Sequence, residues 1–128
     1  MSYYFSKKIE ADFDEVVKKT VDALKSEGFG VLTEIDVKKT LKNKLDVDFR
    51  RYVILGACNP PFAYKALTAE DKIGLMLPCN VIVQEWDKNM VEISVIDPAA
   101  SMQAVQNNEL EKVAVEVRAK LQNVLKLV

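Results

Sequence analysis

Two long amphipathic helices, one near each end of the chain, enclose a series of shorter segments with strand patterns. Asp12 predicts the N-cap of the first helix and Gly28 its end, whereas Asn108 predicts the start of the last helix. Each helix carries one apolar stripe at helical spacing: Phe13, Val16, Val17, Thr20, Val21 and Leu24 in the first, and Leu110, Val113, Ala114, Val117, Leu121, Val124 and Leu125 in the last. A helix with a single apolar face must pack on another layer, which the intervening strands provide.

The strand patterns predict one sheet. Residues 2–9 and the segment "FGVLTEID" alternate in polarity and predict a strand-helix-strand unit whose second strand returns beside the first. The apolar run "YVILGAC" is typical of a central strand. "GLMLPCNVIVQEW" and "MVEISVID", joined by a turn at Asp87–Asn89, predict a hairpin. The chain is therefore expected to form a two-layer α/β domain of the α+β type, with a mixed sheet of about five strands and helices packed on it.

The composition is that of one globular domain spanning residues 1–128, with 49% hydrophobic and 29% charged residues. The formal charge of −1 gives no overall field that favours nucleic acid or a membrane surface. The beginning of the chain has no signal-peptide pattern, and Pro78 and Asn80 interrupt the longest apolar run. We expect a cytoplasmic protein with two reduced cysteines, and with neither nucleic acid nor membrane as a partner.

Two Cys-Asn pairs mark the candidate site. In "GACNPP" Cys58 ends a predicted strand, Asn59 is placed to cap the next helix, and two prolines open that helix. Cys79 and Asn80 form the second pair, in "LPCNVIV". Ligands often bind where a strand end faces the start of a helix. The alternatives are a tight strand-to-helix turn at the first pair and a buried apolar filler at Cys79.

Two acids complete the candidate set. Asp36 and Asp97 each end a predicted strand, where they are either ligand-orienting carboxylates or helix caps. The chain has no histidine, which removes the commonest general base and transition-metal ligand. Two thiolates alone fall short of a tetrahedral zinc set, so no metal is expected, and the sequence identifies no cofactor.

The same stretches resemble the DUF302 family. The resemblance rests on "GFGVLTEIDVKKTLKNKL", "YVILGACNPPFAYKAL", "GLMLPCNVIV" and "ISVIDP", which follow one another in the family's order over nearly the whole chain. It implies a small cytosolic α/β domain that is dimeric, and it supplies no mechanism. The family's motif positions on this chain are Glu34, Asp36, Gly56, Cys58, Asn59, Pro60, Ala63, Pro78, Cys79, Asn80 and Asp97.

Two hypotheses for function remain open at this point. In the first, the protein is a homodimeric binding module that holds a small polar ligand between the two Cys-Asn pairs and the two aspartates. In the second, it is a thiol-dependent enzyme or redox sensor in which Cys58 reacts and Cys79 resolves the product. The sequence leaves open whether the protein is an enzyme. The aromatic "YYF" of the first strand predicts a surface that a second copy covers.

Overall fold

The computed structural model describes residues 2–128. In chain order the elements are β1 (Tyr4–Glu10), α1 (Phe13–Ser26), β2 (Gly30–Asp36), α2 (Val37–Leu45), β3 (Tyr52–Cys58), α3 (Pro60–Ala69), a 3₁₀ helix (Asp71–Met76), β4 (Cys79–Asp87), β5 (Met90–Ile96), α4 (Pro98–Ser101) and α5 (Asn108–Leu127). No helix within residues 2–128 combines the length and apolar character needed to span a bilayer.

The five strands form one sheet in the order β1-β5-β4-β3-β2, and every neighbouring pair is antiparallel. The expected mixed sheet is therefore wrong. The expected pairing of the first two strands is also wrong, because β1 and β2 form opposite edges of the sheet. They run in the same direction, but three strands lie between them. Strands β1 and β2 are separated because α1 carries the chain across the whole sheet. The later connections then insert β3, β4 and β5 between them, each antiparallel to its neighbour.

One face of the sheet carries the core. Its inward side chains come from the three central strands: Val53, Leu55, Ala57, Val81, Val83, Val91, Ile93 and Val95. Helices α1 and α5 cover this face with Val16, Leu24, Leu121 and Val124, none of which is exposed. Each large apolar side chain buried in this way contributes about 1.5–3 kcal/mol relative to exposure. The apolar stripes of the two long helices are thus explained by their packing on a single side of the sheet.

The opposite face of the sheet carries a mixture of aromatic and polar side chains. Tyr4, Tyr52 and Trp86 lie on it around Ile82, together with a buried Gln84. Gln84 is held at both ends of its amide: Nε of Arg50 donates to Oε1 over 2.9 Å, and Nε2 donates to Oε1 of Glu92 over 3.3 Å. We call this surface the open face.

The starts of α1, α2 and α4 have the predicted side-chain caps, the cap of α5 is shifted by one residue, and α3 has no side-chain cap. Oδ2 of Asp12 accepts from the main-chain N–H of Glu15 over 3.2 Å, as expected. Gly28 ends α1 in the left-handed region, at φ 85°. The cap of α5 is Asn107, one residue before the predicted one, and its Oδ1 accepts from the main-chain N–H groups of Glu109 and Leu110. The strand expected to include "GLM" is also shorter than predicted, because those residues belong to the 3₁₀ helix.

Candidate functional site

One end of the sheet brings the two cysteines together. Ala57 near the end of β3 pairs directly with Cys79 at the start of β4, and Cys58 and Cys79 both line one cavity at this end of the sheet. The chain reaches this arrangement because α3 and the 3₁₀ helix return it to the end of the sheet that it had just left. In the β4–β5 pairing Val81 stands opposite Val95, and Asp97 follows directly after the last residue of β5.

Gly56 permits the close approach of two other segments. A Cβ atom at this position would overlap Oγ1 of Thr33 and lie 2.9 Å from Cγ of Pro78. Thr33 is exposed, so its hydroxyl can rotate away, whereas the ring of Pro78 is rigid and gives way less easily. The small residue in "GACNPP" is therefore required where β2 and the start of β4 meet β3.

Asn59 has a different role from the predicted one. Its side chain makes no cap hydrogen bond to α3; instead Nδ2 donates to the main-chain carbonyl of Glu27 over 3.3 Å. Pro60 and Pro61 occupy the first helical positions, where an N–H has no partner within the helix and its loss costs little. The amide of Asn59 thus ties the end of α1 to the start of α3.

The cavity at this end of the sheet has a volume of about 290 Å³. Its floor is formed by Ala57 and Cys79, and helices α3, α4 and α5 contribute its walls. The lining residues are Phe29, Leu32, Ala57, Cys58, Asn59, Phe62, Ala63, Ala66, Leu67, Leu77, Pro78, Cys79, Pro98, Met102, Val113, Ala114 and Val117. None of these is charged, and Asn59 alone has an amide side chain. The described lining is thus mainly apolar, whereas the expectation from the sequence was a site for a polar ligand.

The surroundings of Cys79 favour its protonated thiol. Burial, and after it the nearby thiol of Cys58, raises the pKa of Cys79 from 9.0 to about 11. Both cysteines are free thiols. At neutral pH Cys79 is therefore protonated almost completely, which makes it a poor nucleophile.

Asp97 lies beside the cavity but is committed to the protein's own groups. Its side chain is almost fully buried, and Oδ1 accepts from the main-chain N–H of Ala99 over 3.0 Å at the start of α4. Oδ2 lies 3.4 Å from Nε of Arg118 on α5. The carboxylate of Asp97 therefore caps α4 and pairs with Arg118 on α5. Asp97 is not among the described lining residues of the cavity, whereas the next residue, Pro98, is.

The remaining two candidate residues lie elsewhere. Asn80 is on the open face with Ile82 and Gln84, because side chains alternate along β4 and Cys79 points inward. Asp36 pairs with Val53 at the other end of β3, four residues from Ala57 or about 14 Å along the strand. Oδ1 of Asp36 accepts from the main-chain N–H of Lys39 over 2.9 Å, so this residue caps α2. The structure thus brings together Cys58, Asn59 and Cys79, with Asp97 adjacent.

Sequence reasoning missed most of the cavity wall. Val113, Ala114 and Val117 line the cavity, whereas the apolar stripe of α5 to which they belong predicts only packing on another layer. One signal was present in α3, where Ala63 and Ala66 lie on the same side of the helix at a spacing of three residues. Helix α3 packs on α5 and on the 3₁₀ helix, and two small residues on one side of it leave space that larger side chains would fill.

The fold and the cavity define a class of protein: a small α+β domain with one antiparallel sheet, helices on one face, and an apolar, thiol-containing cavity at one end. The sequence profile described as "Domain of unknown function DUF302" matches residues 5–128. The chain belongs to the DUF302 family. It is similar in structure to an uncharacterised conserved DUF302 protein from Bacillus stearothermophilus, with a TM-score of 0.90, 26% sequence identity and 98% of each chain covered. No curated protein matches the chain.

Proposed function

We propose that this protein is a binding module for a small, mainly apolar molecule held in the cavity between the end of the sheet and helices α3 and α5. The observation that carries the proposal is the lining of the cavity, in which no described residue is charged and most side chains are apolar. Ligand sites commonly combine such a lining with a few polar groups. Here those groups come from Cys58, Asn59 and Cys79.

Thiol chemistry is the second candidate, favoured by the two cysteines that share the cavity. A nucleophilic cysteine needs a nearby cation or base to stabilise its thiolate. The chain has no histidine, and the described lining has no lysine or arginine. The high pKa of Cys79 also opposes its role as a resolving thiolate. These features place binding ahead of an enzyme or redox sensor, and the expected cytoplasmic location suits either.

The module is proposed to act as a homodimer joined through the open face, next to the edge strand β1. Tyr3 is 64% exposed and Trp86 is 46% exposed, and exposed aromatic side chains are typical of surfaces that a partner buries. Arg50 and Glu92 lie on the same surface. A two-fold axis can bring the cation of one copy near the anion of the other, which makes the surface complementary to itself.

The test of binding is to fill the cavity from one wall. Ala63→Phe places a ring in the cavity from α3, whereas Ala119→Phe makes the same change on an exposed turn of α5. Indole and indene serve as small apolar probes, with affinity measured by NMR shifts of the cavity-lining amides. We expect both probes to bind the wild type and Ala119→Phe, and Ala63→Phe to weaken binding at least tenfold while remaining folded. Failure of both probes to bind the wild type would refute the proposal.

A further inference from the structure

We infer that the ligand is an uncharged molecule that donates one hydrogen bond to Oδ1 of Asn59. This inference rests on the proposed binding function and adds the polarity of the ligand. It follows from three features of the cavity: the fixed orientation of one amide, the absence of charge in the described lining, and the shortage of N–H donors at the start of α3.

The orientation of the Asn59 amide is set by its partner. The main-chain oxygen of Glu27 can only accept a hydrogen bond, so the group facing it over 3.3 Å must be the NH₂ of Asn59. Gly28 leaves room for this contact, since a Cβ there would lie 3.1 Å from Nδ2. The amide oxygen must then point away from Glu27.

The amide oxygen of Asn59 is the acceptor left for a ligand. Asn59 is 8% exposed and lines the cavity, yet within residues 2–128 its Oδ1 accepts no hydrogen bond. This oxygen is not completely buried, since the described side-chain atoms that are both unpaired and completely buried do not include it. A ligand donor that reaches this acceptor would supply the hydrogen bond that the described residues do not give it.

The other groups of the cavity select against ions. A charged ligand would lose its hydration and meet no opposite charge among the described lining residues. Pro60 and Pro61 remove two of the free N–H groups with which a helix start usually holds an anion. The volume of about 290 Å³ lies at the lower end of ligand pockets, which indicates a compact molecule.

Indole and indene test the inference because they share a fused ring system and differ in the N–H donor. We expect wild-type protein to bind indole about threefold to tenfold more tightly than indene, which corresponds to one neutral hydrogen bond. Indole-2-carboxylate keeps the donor and adds a charge, and its affinity is expected to be at least tenfold lower than that of indole. Titration calorimetry measures all three.

Two matched variants locate the effect. Asn59→Leu removes the acceptor, so the ratio of indole to indene affinity should fall to about one. Asn80→Leu makes the same change at the other Cys-Asn pair, which faces away from the cavity, and should leave the ratio unchanged. If Asn59→Leu does not fold, the comparison of indole with indene on the wild type still decides whether the donor of the ligand contributes to binding.

Each outcome bears on a different claim. Equal affinity for indole and indene in the wild type would overturn this inference and leave the apolar binding site standing. An equal ratio in Asn59→Leu and the wild type would overturn the assignment of the acceptor to Asn59. Binding of neither probe would overturn the binding site itself, and the inference with it.

Discussion

Asn59 and Asn80 lie on opposite faces of the same sheet, although each follows a cysteine and their strands are neighbours. Cys58 is the last residue of β3, so the chain leaves the sheet at Asn59 and turns its side chain toward the end of α1. Asn80 is the second residue of β4, where side-chain alternation directs it to the open face. A ligand proposed to occupy the cavity would therefore meet one asparagine and two cysteines, a less polar set than two paired amides.

Gly56→Ala is expected to destabilise the protein. The added methyl group overlaps Oγ1 of Thr33 and crowds Pro78, and overpacking of this kind costs about 1–3 kcal/mol. Gly30→Ala is the matched control, because a Cβ at Gly30 has no atom within 4 Å. Urea denaturation measures the free energy of unfolding of both variants. Equal stabilities of the two variants would contradict the proposed close approach.

Cys79 is expected to react slowly with a thiol reagent, at a rate that rises with pH. A pKa of about 11 leaves about 0.03% of this thiol ionised at pH 7.5, against about 10% for a free cysteine. Alkylation by iodoacetamide, followed by peptide mass spectrometry, should accelerate about tenfold for each pH unit up to about 11. Cys58 is expected to react slowly because it lines an apolar cavity in which no described lining residue is a cation. Complete labelling of Cys58 within seconds in the folded protein would instead favour the thiol enzyme or sensor.

The raised pKa of Cys79 also predicts a loss of stability in alkaline solution. Because the folded protein holds this proton more tightly than the unfolded chain, its contribution is complete below pH 9 and is lost as the pH rises toward 11. A shift from 9.0 to about 11 corresponds to about 2–3 kcal/mol. Cys79→Ala lacks this thiol, so its free energy of unfolding should fall less than that of the wild type between pH 8 and 11. Parallel pH profiles for the two proteins would show that the thiol titrates normally.

Asp36→Ala is expected to loosen α2 without affecting ligand binding. The carboxylate caps this helix, which has no buried residue to hold it in place, and loss of such a cap costs about 0.5–2 kcal/mol. Amide hydrogen exchange should therefore quicken within α2, while the affinity for indole stays at the wild-type value. Asp36→Asn retains a capping oxygen and serves as the control. A loss of affinity in both variants would place Asp36 in the binding site.

The elements of this fold were predictable where the sequence carries a local signal. The apolar stripes of α1 and α5, the hairpin of β4 and β5, and the caps at Asp12 and Asp36 all follow from periodicity or from side chains within a few residues. The strand order carried no such signal. A second strand can lie beside the first or form the opposite edge of the sheet. No residue pattern in the strands distinguishes the two arrangements, because the connecting helix has the same apolar stripe in both.

The candidate site was predictable in part for the same reason. Val81 and Val83 are inward residues of a strand, so the period of two already places Cys79 with them and Asn80 opposite. The cavity itself had no pattern of its own. Its walls come from segments as distant as Phe29 and Val117, and only the packing of α5 against α3 brings them around the thiols.

The last prediction concerns the homodimer. Ile82 lies near the centre of the open face, so Ile82→Glu places a carboxylate where two copies are proposed to meet and should yield a monomer. Leu75→Glu makes a comparable change at a residue that is 88% exposed in the 3₁₀ helix, away from that face, and should remain dimeric. Sedimentation equilibrium at roughly 100 μM populates even a contact of micromolar affinity. A monomeric wild type at that concentration would refute the dimer, whereas a dimeric and folded Ile82→Glu would move the interface to another surface.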